Sequence, residues 1–145
     1  MGKKLIKQIL VIDGQGGGIG SVLIKSLRET YGESVEILAV GTNAIATSQM
    51  MKARANRGAT GENAIVRSSM EADLIIGPIS ITWAHAMMGE VTPRMAEAIM
   101  SCSAPKILLP LLREKVTLVG LNDEPLPHLV EDIVKNRIRE FIQDV

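Results

Sequence analysis

Apolar runs that do not alternate with polar positions recur along this chain. They fall at residues 8–13 (QILVID), 35–41 (VEILAVG), 73–79 (DLIIGPI), 106–111 (KILLPL) and 117–121 (TLVGL). Strands of this kind are buried on both faces, the habit of a parallel sheet covered by helices. Between them the period lengthens to that of helices. Ile19, Val22, Leu23, Leu27 and Tyr31 form one apolar face with Lys25, Arg28 and Glu29 turned away, and Gly32 stands where a C-cap belongs. Thr42 or Asn43 suits the N-cap of a second helix running to about Ala55, and Thr60 that of a short one over residues 61–70. Thr92 followed by Pro93 opens a fourth, over residues 94–101. From about Pro127 a last stripe carries Leu129, Val130, Ile133, Val134, Ile138, Phe141 and Ile142.

The resulting order, β-α-β-α-α-β-α-β-β-α, predicts an α/β fold: a three-layer Rossmann-like sandwich around a mostly parallel five-stranded sheet. No repeat, linker or low-complexity tract divides the chain, so residues 1–145 are expected to form one domain. Only residues 113–116 (REKV) separate the final two runs, too few for a parallel crossover, so the last strand is expected as an antiparallel edge. The strand order 2-1-3-4-5 is preferred to 3-2-1-4-5 because it sets a switch point beside strand 1.

Composition narrows the partners. Sixteen Lys+Arg balance sixteen Asp+Glu, and the chain has one Trp, one Tyr and one Phe, so neither a phosphate-attracting field nor a stacking platform for bases is present. Only Lys3, Lys4 and Lys7 cluster, and no nucleic-acid partner is expected. The amino terminus does not read as a leader, since Lys7 and Gln8 interrupt its apolar run and Asp13 ends it, and Ile6 replaces the Ser or Thr of a myristoylation signal. The longest apolar stretch, residues 74–89, is too short for a bilayer and carries Pro78 and His85. With the single Cys102 unable to form an internal disulfide, a soluble cytoplasmic protein is expected, with no membrane partner.

The candidate chemistry starts where the first strand ends. In VIDGQGGGIG, residues 11–20, five of seven positions from Gly14 to Gly20 are glycine, followed by a helix. Bare backbone N–H groups ahead of a helix N-terminus suit a phosphate. The register does not meet G-x-G-x-x-G, since Ile19 stands at the third glycine, and there is no P-loop Lys-Ser/Thr pair. It does meet G-x-x-x-G-I-G through Gly14, Gly18, Ile19 and Gly20, and so is similar to the cofactor loop of short-chain dehydrogenases over about the first forty residues. The catalytic Tyr-x-x-x-Lys pair of that superfamily has no counterpart, the only tyrosine being Tyr31, followed by Ser34 and Val35. Strand 2 ends in Gly41, Thr42 and Asn43 rather than the acid that holds the ribose of NAD. Neutral residues there leave NADP(H) open, with Lys52 or Arg54 nearby, though neither stands where the usual arginine for a 2′-phosphate would. Asp13 is read as fixing the loop by accepting glycine N–H bonds, ahead of a role in holding magnesium against phosphate.

Ligands in such sheets lie beyond the carboxyl ends of strands. The expected binding set is therefore Asp13, Gly14, Gln15, Gly16, Gly17, Gly18, Ile19 and Gly20, with Gly41, Thr42, Asn43, Gly77, Pro78 and Ser80; Thr82 and the turn Thr60, Gly61, Glu62, Asn63 stand nearby. Asp13, Glu62 and His85 are the only acid/base candidates, and no catalytic residue is assigned. His85 and His128 lack carboxylate partners at helical spacing, and with Cys102 they make no zinc cluster, so no metal is expected. Trp83, Met87, Met88, Met95 and Met100 suit either core or a subunit interface, and a homodimer is the working expectation.

VIDGQGGGIG, GTNAIATS, RGATGENAIV, IIGPI and GEVTPRMAEAI together resemble the bacterial domain of unknown function 3842 family over nearly the whole chain. The resemblance implies a compact, stand-alone cytoplasmic α/β protein and supplies no activity. Three functions follow from the residues: a protein binding a nucleotide or phosphorylated small molecule, an NADP(H)-using oxidoreductase, or a structural homo-oligomer whose glycine turn is empty.

Overall fold

The structure is a computed structural model and describes residues 8–142. The Lys3, Lys4 and Lys7 cluster and most of the stretch weighed as a leader lie outside these residues. Five strands form one sheet: β1 (Gln8–Asp13), β2 (Glu36–Gly41), β3 (Arg57–Thr60), β4 (Leu74–Pro78) and β5 (Lys106–Leu109). Their order is β3-β2-β1-β4-β5 and every pairing is parallel. Helices α1 (Gly18–Tyr31), α2 (Ala44–Lys52), α3 (Glu62–Glu71), α4 (Pro93–Ser101) and α5 (Leu126–Asp132) alternate with them.

Both faces of the central strands are covered, as their unbroken apolar runs require. Ile9 and Val11 of β1 face α1, α2 and α5, while Leu10 and Ile12 face α3 and α4. These four side chains are fully buried, each contributing about 1.5–3 kcal/mol of apolar transfer. Among the described residues no helix is long and apolar enough to cross a membrane.

Three features correct the expected topology. Residues 117–121 are not a strand: Gly120 has φ 94° and Val119 is 97% exposed, so no apolar burial holds this segment against the sheet. The last strand is therefore β5, and it is parallel. The fifth strand is instead β3, whose sequence RGAT hides it, since an edge strand needs partners on one side only and this one offers a single half-buried apolar residue, Ala59. The four strands shared by expectation and structure keep the order β2-β1-β4-β5.

The helix boundaries follow local chemistry. Asn43 caps α2 by accepting the N–H of Ala46 at 2.9 Å, and Thr92 caps α4 through Met95 N–H at 3.1 Å. Gly61, not Thr60, precedes α3. On α1, Ile24 rather than Val22 joins the core, and Arg28 turns inward. Its guanidinium, on a residue only 5% exposed, donates to the carbonyls of Gly32, Val35 and Arg54 and to Asn56, closing the end of α1 against the turn after α2. The carboxy-terminal helix passes through a π turn at Ile133–Arg137 and a 3-10 turn at Ile138–Glu140.

Candidate functional site

The chain crosses from β3 to β4 through α3, which packs on one face of β2 and β1, so the sheet reverses its winding between β1 and β4. A crevice opens at the carboxyl ends of strands at such a point. Here it is a cleft of about 970 Å³, lined by the glycine loop from Asp13 to Ile19, by Pro78 at the end of β4 and Ser80 beyond it, by His85, Met87 and Met88, and by Leu111 to Glu114 with Leu126. That volume suits a small organic ligand.

The glycine loop is held from within by two carboxylates. Asp13 is buried, and its two oxygens accept the N–H groups of Gly14 at 2.8 Å and Gly20 at 2.7 Å. Burial raises the Asp13 pKa above its ordinary value, against the lowering effect of these amides and with a smaller push from Glu90. Both oxygens fix the loop, the first of the two roles read for this residue. Glu90 holds the other end: its Oε1 accepts Gln15 N–H at 2.8 Å, Thr42 Oγ1 at 2.6 Å and Asn43 Nδ2 at 2.8 Å. Partial burial would raise the Glu90 pKa, but the hydrogen bonds from Thr42, Gln15 and Asn43 together hold it below the usual range.

The five glycines then separate by cause. A Cβ at Gly14 would lie 2.4 Å from Met87 Sδ and 2.5 Å from Thr42 Oγ1. One at Gly17, where φ is +71°, would lie 2.8 Å from the carbonyl oxygen of Ala46, and one at Gly20 would meet Met50. Gly16 and Gly18 differ. Both are exposed, neither has a left-handed φ, and a Cβ on either meets nothing within 4 Å. Among the described residues no acceptor takes their N–H groups, whereas Gly17 N–H is bonded to Gly14 O. Ser80, also in the lining, is 4% exposed.

Residues 83–91 form a strap over Gly14. Its backbone turns are closed by His85 N–H to Val91 O at 2.6 Å, Ala86 to Trp83 at 3.1 Å and Val91 to Ala86 at 3.2 Å, and Met87 N–H reaches Glu114 Oε1 at 3.0 Å. His85, Met87 and Met88 have φ of 71°, 57° and 57°, a conformation that disfavours side chains by roughly 1–2 kcal/mol each and persists only where neighbours enforce it.

With this geometry in place, the comparison that decides the family is the match of Domain of unknown function (DUF3842) to residues 8–142. The chain belongs to DUF3842. A search of curated proteins finds no match. Among solved structures, one similar to this DUF3842 chain is a crystal structure of universal stress protein in complex with cAMP, at TM-score 0.43 and 15% identity, over 73% of this chain and 98% of that one.

The expected binding set divides in this DUF3842 protein. Asp13, Gly14, Gln15, Gly16, Gly17, Gly18, Ile19, Pro78 and Ser80 meet in the cleft. Gly20, Gly41, Thr42, Asn43 and Gly77 do not line it. Gly20 is sealed against Asp13 and Met50, Thr42 and Asn43 are spent on Glu90, Gly41 packs on Thr47, and Gly77 lets β4 pass Ile12 O, which a Cβ would approach to 2.4 Å. Arg54 sits beyond the far end of α2, its carbonyl taken by Arg28 and its guanidinium 3.9 Å from Glu33, so it is misplaced for a 2′-phosphate. Lys52, the last residue of α2, shares that end. Glu62 binds Thr92 Oγ1 at 2.6 Å, and Thr60 meets Thr47 at 2.7 Å, both outside the cleft. His85 is exposed on the rim. Of the methionines, Met87 and Met95 are buried while Met88 and Met100 are exposed.

Sequence reasoning missed Glu90, Arg113, Glu114 and the leucines 111 and 112. No local spacing marks them: Glu90 reaches Gln15 across 75 positions of chain.

Proposed function

We propose that the cleft binds a nucleotide or phosphorylated small molecule, its anionic group against the N–H groups of Gly16 and Gly18 at the amino end of α1 and its body extending toward Ser80 and Leu111. The observation carrying this reading is that Gly16 and Gly18 are glycines without an internal reason. A Cβ at any of the other loop glycines would meet the protein's own atoms, but at these two it would meet nothing, and both line the cleft with N–H groups that no described residue accepts. Amides at a helix start carry the positive end of its dipole, which favours an anion there. Ser80 adds a hydroxyl-bearing side chain to the lining. An empty structural turn leaves both glycines unexplained.

The test is thermal unfolding against a panel of nucleotides and sugar phosphates. A ligand at ~100 times its Kd stabilises by about 2.7 kcal/mol. Gly18→Val should keep its own stability to within about 1 kcal/mol, because its side chain enters free space, and should lose the ligand-induced shift. A full shift in that variant would remove the loop from the site.

A further inference from the structure

Resting on the reading just given, we infer that this site selects ligands with a single phosphoryl group on a compact body, with a nucleoside monophosphate as the type, and that Glu90 is the residue that shuts out dinucleotides.

A dinucleotide in a doubly wound sheet straddles the glycine loop, one nucleoside running over the end of the second strand. That ground is occupied here. The Glu90 carboxylate lies between Gln15 of the loop and Thr42 and Asn43 at the end of β2, consuming a donor of each. Asn43 also donates to Gln15 O at 3.0 Å, which ties the loop to the start of α2. The strap carrying Glu90 is closed by its own backbone bonds and held at Met87 by Glu114, so it is a wall rather than a loose end. A ligand on the loop has the opposite direction left to it, past Ser80 toward Leu111, Leu112 and Leu126.

The charges of the cleft set the phosphoryl count. Two free amides, Ser80 and the exposed Arg113 offer donors for one compact anion, while Glu114 and Asp13 line the same cleft. A triphosphate would bring its extra negative charge against those carboxylates, a repulsion that grows as water is excluded. Apolar contact with the leucines and with Met87 and Met88 supplies the remaining affinity without an aromatic platform.

Isothermal titration of the whole chain with adenosine, guanosine, cytidine and uridine 5′-monophosphates, their triphosphates and NADP+ tests this. At least one monophosphate should bind about tenfold or more tighter than its triphosphate and than NADP+. Glu90→Ala, by opening the β2 side, should raise NADP+ affinity by about tenfold. A triphosphate or NADP+ binding the unaltered protein as tightly as the monophosphates would overturn the selectivity and leave the phosphate site standing. No gain for NADP+ in a folded Glu90→Ala variant would remove Glu90 from the role. If none of the panel binds, the monophosphate selectivity fails, and the phosphate site falls with it only if the sugar phosphates of the unfolding panel give no shift either.

Discussion

Replacing Asp13 by asparagine should destabilise the protein by about 2–3 kcal/mol, the cost of leaving a buried donor unsatisfied and losing a charge-assisted bond. The substitution is nearly isosteric, so its effect isolates hydrogen bonding from packing. Each carboxylate oxygen accepts one backbone N–H, from Gly14 and from Gly20. An asparagine has one oxygen for these two donors and turns its NH2 group toward the other, where two donors face each other. The loss is read by urea denaturation at neutral pH, and a variant within about 0.5 kcal/mol of the parent, the range of an ordinary surface change, would show that Asp13 does not hold the loop. The pH dependence has a definite sign. Burial raises the Asp13 pKa above 3.8, so the folded protein binds the proton more tightly than the unfolded chain. Its contribution to stability is then greatest in acid and declines as pH rises from that value through the elevated folded one. The asparagine variant should lack this slope.

Gly17→Ala should cost about 2–4 kcal/mol, combining the left-handed backbone with an overlap that no rotamer relieves. The added methyl carbon would lie 2.8 Å from Ala46 O and 2.9 Å from Ala46 Cα, both main-chain atoms of α2. Either α2 retreats from the loop or the loop abandons its turn, and in both cases the Gly17 O to Ser21 N–H bond that starts α1 is disturbed. One position earlier, Gly16→Ala meets nothing within 4 Å at an ordinary φ and should change stability by no more than about 0.5 kcal/mol. Equal losses at the two positions in thermal or urea unfolding would contradict the division of the glycines into internal and outward-facing ones.

What the sequence made legible was whatever local patterning controls. The apolar runs of β1, β2, β4 and β5 announce strands buried on both faces, and Asn43 and Thr92-Pro93 mark helix starts that hydrogen bonds then define. The loop glycines and Asp13 were readable because strand, turn and helix are consecutive. Edge strand β3 was not, since pairing on one side with β2 asks little of Arg57, Gly58 and Thr60 as side chains. Arg28 looked like a solvent-facing charge because helical periodicity cannot show that the carbonyls of Gly32, Val35 and Arg54 converge on it. Glu90 and Arg113 were invisible for a related reason: their place in the site comes from strand order, which brings residues after β4 and β5 over a loop that follows β1.

The central claim concerns two amides, and backbone 15N–1H NMR observes them one by one. During titration with nucleoside monophosphates, the Gly16 and Gly18 cross-peaks should move furthest and saturably, with those of Gly14 and Gly20 shifting less because Asp13 already holds them. Saturable shifts elsewhere on the surface, with Gly16 and Gly18 unmoved, would contradict the account.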